Sequence, residues 1–138
     1  MNIQENSAVT SELKMEHIVF DELSFKRKGF KKQEEQDVQI QFGVAIDKIG
    51  DGKYRVSLKI TADQPDEYTV EARISGFCSI SESYELKDEL LQKNAVAILF
   101  PYIRSELTLL TSQPEVTPIV LPTLNISAMI DNAQKKAN

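Results

Sequence analysis

Apolar residues recur at every second position over Val38, Ile40, Phe42, Val44 and Ile46, with Gln39, Gln41, Gly43, Ala45 and Asp47 between them. A period of two predicts a strand with one buried face. Gly50-Asp51-Gly52 then supplies turn residues, and Tyr54, Val56, Leu58, Ile60 and Ala62 alternate with Arg55, Ser57, Lys59 and Thr61. The two segments predict a hairpin. After a second turn at Asp63-Gln64-Pro65-Asp66, the set Tyr68, Val70, Ala72 and Ile74 predicts another strand. Phe77 falls out of phase with Ile74, so a bulge is expected at Gly76. Upstream, His17 to Phe25 is rich in β-formers but alternates imperfectly.

The period lengthens after Ser83. Leu86, Leu90 and Leu91 have helical spacing, and Asn94 to Leu110 continues as helix with Pro101 as an expected kink or break. Ser112 to Pro122 contains Pro114, Pro118 and Pro122 and reads as a loop, although Ile119, Val120 and Leu121 are strongly apolar. Asn125 can cap a short last helix carrying Ile126, Met129 and Ile130. Residues 1–14 lack a pattern and are expected to form a mobile arm. The fold class is therefore α+β in one domain over residues 15–138: a four-stranded antiparallel sheet, a long helix and a short C-terminal helix.

Composition narrows the chemistry. With 138 residues, 41% hydrophobic and 27% charged, the chain can bury a core. Its net charge of −5 opposes nucleic-acid or anionic-membrane binding as a main activity. The longest apolar run, Ala95 to Ile103, is interrupted by Pro101 and is too short to span a bilayer. Cys78 is the only cysteine, and no signal peptide is visible, so a reducing, cytoplasmic setting is expected. One histidine, His17, and one cysteine cannot make a structural zinc site. The five glycines match neither a P-loop nor a dinucleotide fingerprint, and no motif places two carboxylates around a pocket. These features argue against an enzyme.

Three stretches carry a family resemblance. Asn94-Ala95-Val96-Ala97-Ile98-Leu99-Phe100-Pro101-Tyr102-Ile103-Arg104 is similar to the I-L-F-P-Y-x-R helix segment of the bacterial SecB export-chaperone family. Pro118 to Ile126 resembles that family's Pro-rich apolar loop, and Glu71 to Ile80 its fourth strand. The resemblance implies an ATP-independent holdase that needs no cofactor, binds unfolded or precursor polypeptides, and assembles as a tetramer from two dimers. It implies a client groove at Phe25 and Phe30, then Ile119, Val120 and Leu121, then Ile126, Met129 and Ile130. For any one of these residues core packing is the commoner role, and the case for binding rests on the cluster. Of the acidic sheet face that meets the SecA motor, Glu22 and Glu71 keep two positions, but Lys26 replaces a third, and the chain stops soon after the expected last helix. SecB-like chaperones also protect antitoxins, so SecA and an antitoxin both stand as partners, and a dedicated interaction protein is the alternative to a general holdase. The run Lys26, Arg27, Lys28, Lys31 and Lys32 is expected to favour clients with acidic flanks.

Overall fold

The computed structural model describes residues 12–34 and 37–122. Four strands, β1 (Lys14–Arg27), β2 (Gln39–Gly50), β3 (Lys53–Gln64) and β4 (Tyr68–Ser79), form one antiparallel sheet in the order β1-β4-β3-β2. A continuous helical stretch follows. It comprises a short turn α1 (Lys87–Glu89), a π-helical turn (Leu90–Asn94) and the long helix α2 (Ala95–Leu110). The helix runs through Pro101, which lies on its exposed side, so the predicted break does not occur. The expected last helix falls outside the described residues. So does most of the expected N-terminal arm, but Leu13 is buried and Lys14 opens β1, so the folded body begins earlier than residue 15.

The core lies between one sheet face and α2. Val56, Leu58, Ile60 and Ala62 of β3 and Val70, Ala72 and Ile74 of β4 are completely or almost completely buried. They pack with Val96, Leu99, Phe100, Ile103 and Leu107, whose spacing of three and four keeps them on one side of α2. Burying such side chains removes roughly 25 cal/mol of unfavourable hydration per Å² of apolar surface.

Two bulges in β1 and one glycine in β4 explain irregularities in the sequence pattern. The β1 register against β4 slips at Glu16 and again at Asp21, each an extra residue in β1. The two bulges restore Met15, Ile18, Phe20, Leu23 and Phe25 to the core face, which accounts for their uneven spacing. The bulge expected at Gly76 is absent: β4 pairs with β3 in continuous register, Val56 opposite Gly76 and Arg55 opposite Phe77. Phe77 is out of phase because it faces the other side of the sheet, where the Arg55 guanidinium lies 5.6 Å from its ring centre. Gly76 is needed for space. A Cβ there would lie 2.6 Å from Met15 Sδ and 3.1 Å from Leu99 Cδ2.

Candidate polypeptide-binding groove

Three loops meet at one end of the sheet. The segment after β1 is fastened to the β3–β4 turn by its backbone, Lys28 N–H and Gly29 N–H both donating to the Glu67 carbonyl at 2.8 and 3.1 Å. Lys28 Nζ also pairs with Asp63 at 2.7 Å, and Lys32 Nζ with Asp66 at 2.9 Å. Gly29 permits this approach, because a Cβ in its place would lie 2.4 Å from the Asp66 carbonyl oxygen. Asp66 itself takes a left-handed φ of 65°, a conformation that aspartate tolerates better than most residues.

The Pro-rich loop is fastened to α2 through two threonines. Thr108 Oγ1 donates to the Ile119 carbonyl at 2.7 Å, and Ile119 N–H donates to Thr111 Oγ1 at 2.9 Å. Thr111 and Ser112 hydroxyls also bond the last helix carbonyls at Leu107 and Thr108, so the helix ends without a glycine cap. Arg27 connects the first and third loops. Its guanidinium donates to the Pro114 carbonyl at 2.6 Å and lies 5.7 Å from the Phe25 ring centre.

Between these loops is a cavity of about 350 Å³ lined by Lys31, Lys32, Glu34, Asp37, Val38, Gln64, Glu67, Tyr68, Thr117, Pro118 and Ile119. The candidate residues divide into two kinds. Phe30 and Val120 are 80% and 77% exposed and adjoin the lining residues Lys31 and Ile119 in sequence. Phe25, Ile119 and Leu121 are half-buried and pack against the core, Phe25 stacking on Tyr68 with ring centres 5.4 Å apart. Ile126, Met129 and Ile130 lie outside the described residues. Tyr68 and Glu67 are lining residues that the sequence reading passed over: Tyr68 carried a strand signal, and nothing marked Glu67.

Two of the five charges of the basic run are paired within the protein. Lys28 and Lys32 are neutralised by Asp63 and Asp66, and Arg27 is turned onto backbone carbonyls. These two ion pairs reduce the positive field expected for this loop, while the charges of Lys26, Arg27 and Lys31 are not offset by them.

Glu22 and Glu71 lie on the sheet face opposite α2. The Glu71 carboxylate, by hydrogen bond and like charge, holds Glu22 above the usual carboxylate range. The hydrogen bond with Glu22, and then that with Lys59, holds Glu71 below it. On the same face, Asp21 accepts from Arg55 and Ser75, and Lys26 and Arg73 align with Thr69 and Glu22. Acidic and basic side chains thus alternate across this face, unlike the acidic surface that the resemblance implied.

Among the described residues no group of three His, Cys, Asp or Glu side chains could hold a metal ion, and no helix is long and apolar enough to cross a membrane. Cys78 is buried beside Met15, its thiol pushed up to about 11 by desolvation and then by the charge of Glu16.

The family profile described as preprotein translocase subunit SecB matches residues 6–137, and the chain belongs to the SecB family. It is 34% identical over 107 residues to the protein-export protein SecB of Dechloromonas aromatica, covering 72% of this chain and 69% of that one. It is 31% identical over 86 residues to the protein-export protein SecB of Anaplasma phagocytophilum, covering 56% and 54%. An uncharacterized protein of Methanocaldococcus jannaschii is 28% identical over 113 residues, 73% of each chain. The fold is that of the SecB-like chaperone of Mycobacterium tuberculosis, solved in complex with a peptide from the HigA1 antitoxin. The TM-score is 0.68 at 15% identity, over 88% of this chain and 98% of that one.

Proposed function

We propose that this chain is an ATP-independent holdase chaperone that binds unfolded or precursor polypeptides in the groove formed by the three loops. One observation carries the reading. The loops are fixed by backbone bonds, ion pairs and threonine hydroxyls, yet Phe30 and Val120 stand almost fully exposed beside a 350 Å³ cavity. A preformed site loses little entropy on binding. Burying a phenylalanine or valine side chain against an unfolded chain contributes about 1.5–3 kcal/mol. A few such contacts hold many sequences without demanding one.

Family membership supports the chaperone role, and the antitoxin peptide held by the M. tuberculosis relative supports a polypeptide as ligand. The expected tetramer is supported by Ile98, Tyr102 and Leu109, which are exposed along the side of α2 away from the core and offer apolar surface to a second subunit. The test is suppression of aggregation of an unrelated denatured protein at near-equimolar chaperone, without nucleotide. Unchanged aggregation overturns the proposal.

The mixed charge of the outer sheet face favours a second reading, in which the same groove serves one dedicated partner, such as an antitoxin, without delivery to SecA. Unrelated unfolded proteins compete for one site under the first reading and fail to bind under the second.

A further inference from the structure

We infer that Arg27 is a positioning residue of the groove, a latch that holds the Pro-rich loop in a strained turn and so sets the wall offered to a bound polypeptide; the inference rests on reading the cavity as the polypeptide site. After α2 the chain makes a turn over Gln113, Pro114, Glu115 and Val116, closed by the Val116 N–H donating to the Gln113 carbonyl at 3.2 Å. Glu115 has a left-handed φ of 64°. The first central residue is proline, whose φ is fixed negative, so a positive φ at the second defines a type II turn. That second position favours glycine or asparagine. Among the described residues the only other non-glycine with positive φ is Asp66, whose short polar side chain suits it. Glu115 has no such aid: it is exposed, and among the described residues it enters no ion pair.

The contact that holds the turn comes from the first loop. Type II differs from the less strained type I by a flip of the peptide between the two central residues, which reverses the direction of the Pro114 carbonyl. Arg27 donates to that carbonyl at 2.6 Å, so its bond favours type II and is lost on the flip. The guanidinium is itself aimed, by a second bond to the Gly29 carbonyl at 3.1 Å and by its place 5.7 Å from the Phe25 ring centre. Beyond the turn, Thr117, Pro118 and Ile119 line the cavity, and Ile119 is fixed to Thr108 and Thr111. A flip between the helix end and that anchor has to be absorbed by Val116, Thr117 and Pro118, which reshapes the wall. Strained residues persist where surrounding contacts enforce them, and they concentrate at ligand clamps and switches. The wall is thus two-state, and one exposed arginine sets the fraction of molecules that is competent to bind.

The test compares wild type, Arg27→Met, Glu115→Gly and the double variant; methionine keeps a stem over Phe25 and removes every donor. The nuclear Overhauser effect between the Pro114 Hα and the amide proton of residue 115 reports the turn, because the two protons are close in type II and apart after the flip. Binding is read by fluorescence anisotropy with labelled, reduced and carboxymethylated α-lactalbumin, which stays unfolded without denaturant. A left-handed non-glycine residue is disfavoured by about tenfold, so in R27M the type I form is expected to dominate and client affinity to fall by up to about tenfold. Glycine at 115 removes the strain, so the double variant should regain the strong Overhauser effect and the wild-type affinity while still lacking the positive charge. That rescue separates a positioning role from a direct contact between Arg27 and the client. A strong effect that persists in R27M, a flip without loss of affinity, or a double variant that stays weak overturns the proposal. Should wild type fail to bind the client, the groove reading falls, and the Overhauser series still decides whether Arg27 holds the turn.

Discussion

Thr111→Val tests the attachment of the Pro-rich loop. Thr111 is completely buried, and its hydroxyl donates to the Leu107 carbonyl at 2.8 Å and accepts from the Ile119 N–H at 2.9 Å. Valine keeps the shape and removes both bonds. The Leu107 carbonyl retains the Thr111 N–H at 3.1 Å, and the Thr108 carbonyl retains the Ser112 hydroxyl at 2.7 Å. The group left without a partner is the Ile119 amide. A buried donor deprived of its acceptor costs about 1–3 kcal/mol, and the half-buried Ile119 places this case at the lower end, about 1–2 kcal/mol. The Thr108 bond to the Ile119 carbonyl survives, so the loop loosens without leaving. The expected result is faster hydrogen exchange at the Ile119 amide, a lower urea midpoint and weaker binding of an unfolded client. Thr111→Ser, which keeps the hydroxyl, should retain slow exchange at Ile119. An Ile119 amide that exchanges as slowly in T111V as in wild type refutes this account of how the loop is held.

Phe30→Ser should weaken client binding severalfold while shifting the urea midpoint little, because the ring is 80% exposed and contributes little to the core; a large loss of stability would contradict this. Acid stability should depend on Glu82, whose carboxyl is held down to about 2 by hydrogen bonds from the Gly52 amide, Lys87 and Tyr54. Its folded-state value is depressed below the ordinary 4.5, so its stabilising contribution is complete above about pH 4.5 and is lost as pH falls toward 2. Glu82→Gln should therefore flatten the urea-midpoint profile in that window, and an unchanged slope would refute the assignment. Replacing Ile98, Tyr102 and Leu109 together by serine should lower the mass seen by light scattering, to dimer or monomer, if α2 is a subunit contact; an unchanged mass would exclude that surface.

The sheet and the helix were legible because one-sided burial imposes a period. The β2–β3 hairpin keeps one register from Gln39 to Lys48, and the buried side of α2 follows from Leu99, Ile103 and Leu107. The β1 bulges were not legible: extra residues at Glu16 and Asp21 mimic poor alternation. Gly76 misled in the opposite way, since an inward position without a side chain left Phe77 looking displaced. In the groove, sequence order identified the loops but not their state. Lys28 and Lys32 meet acids of the β3–β4 turn more than thirty positions away, and no local pattern announces that neutralisation. Nor could it show that Ile119 turns inward while Val120 turns outward, which depends on the two threonine bonds to Ile119. Glu67 gave no signal because its burial depends on segments on either side of the chain folding over the turn.

The central claim is that client chains lie in the three-loop groove and not on the outer sheet face. Site-specific photo-crosslinking tests this directly. A photoreactive amino acid is placed at Phe30 or Val120 at the groove, or at Ala45 or Lys59 on the opposite sheet face, and irradiated with a labelled unfolded client. The account predicts adducts from positions 30 and 120, competed away by unlabelled client, and none from 45 or 59. Adducts from the sheet face with none from the groove would contradict it.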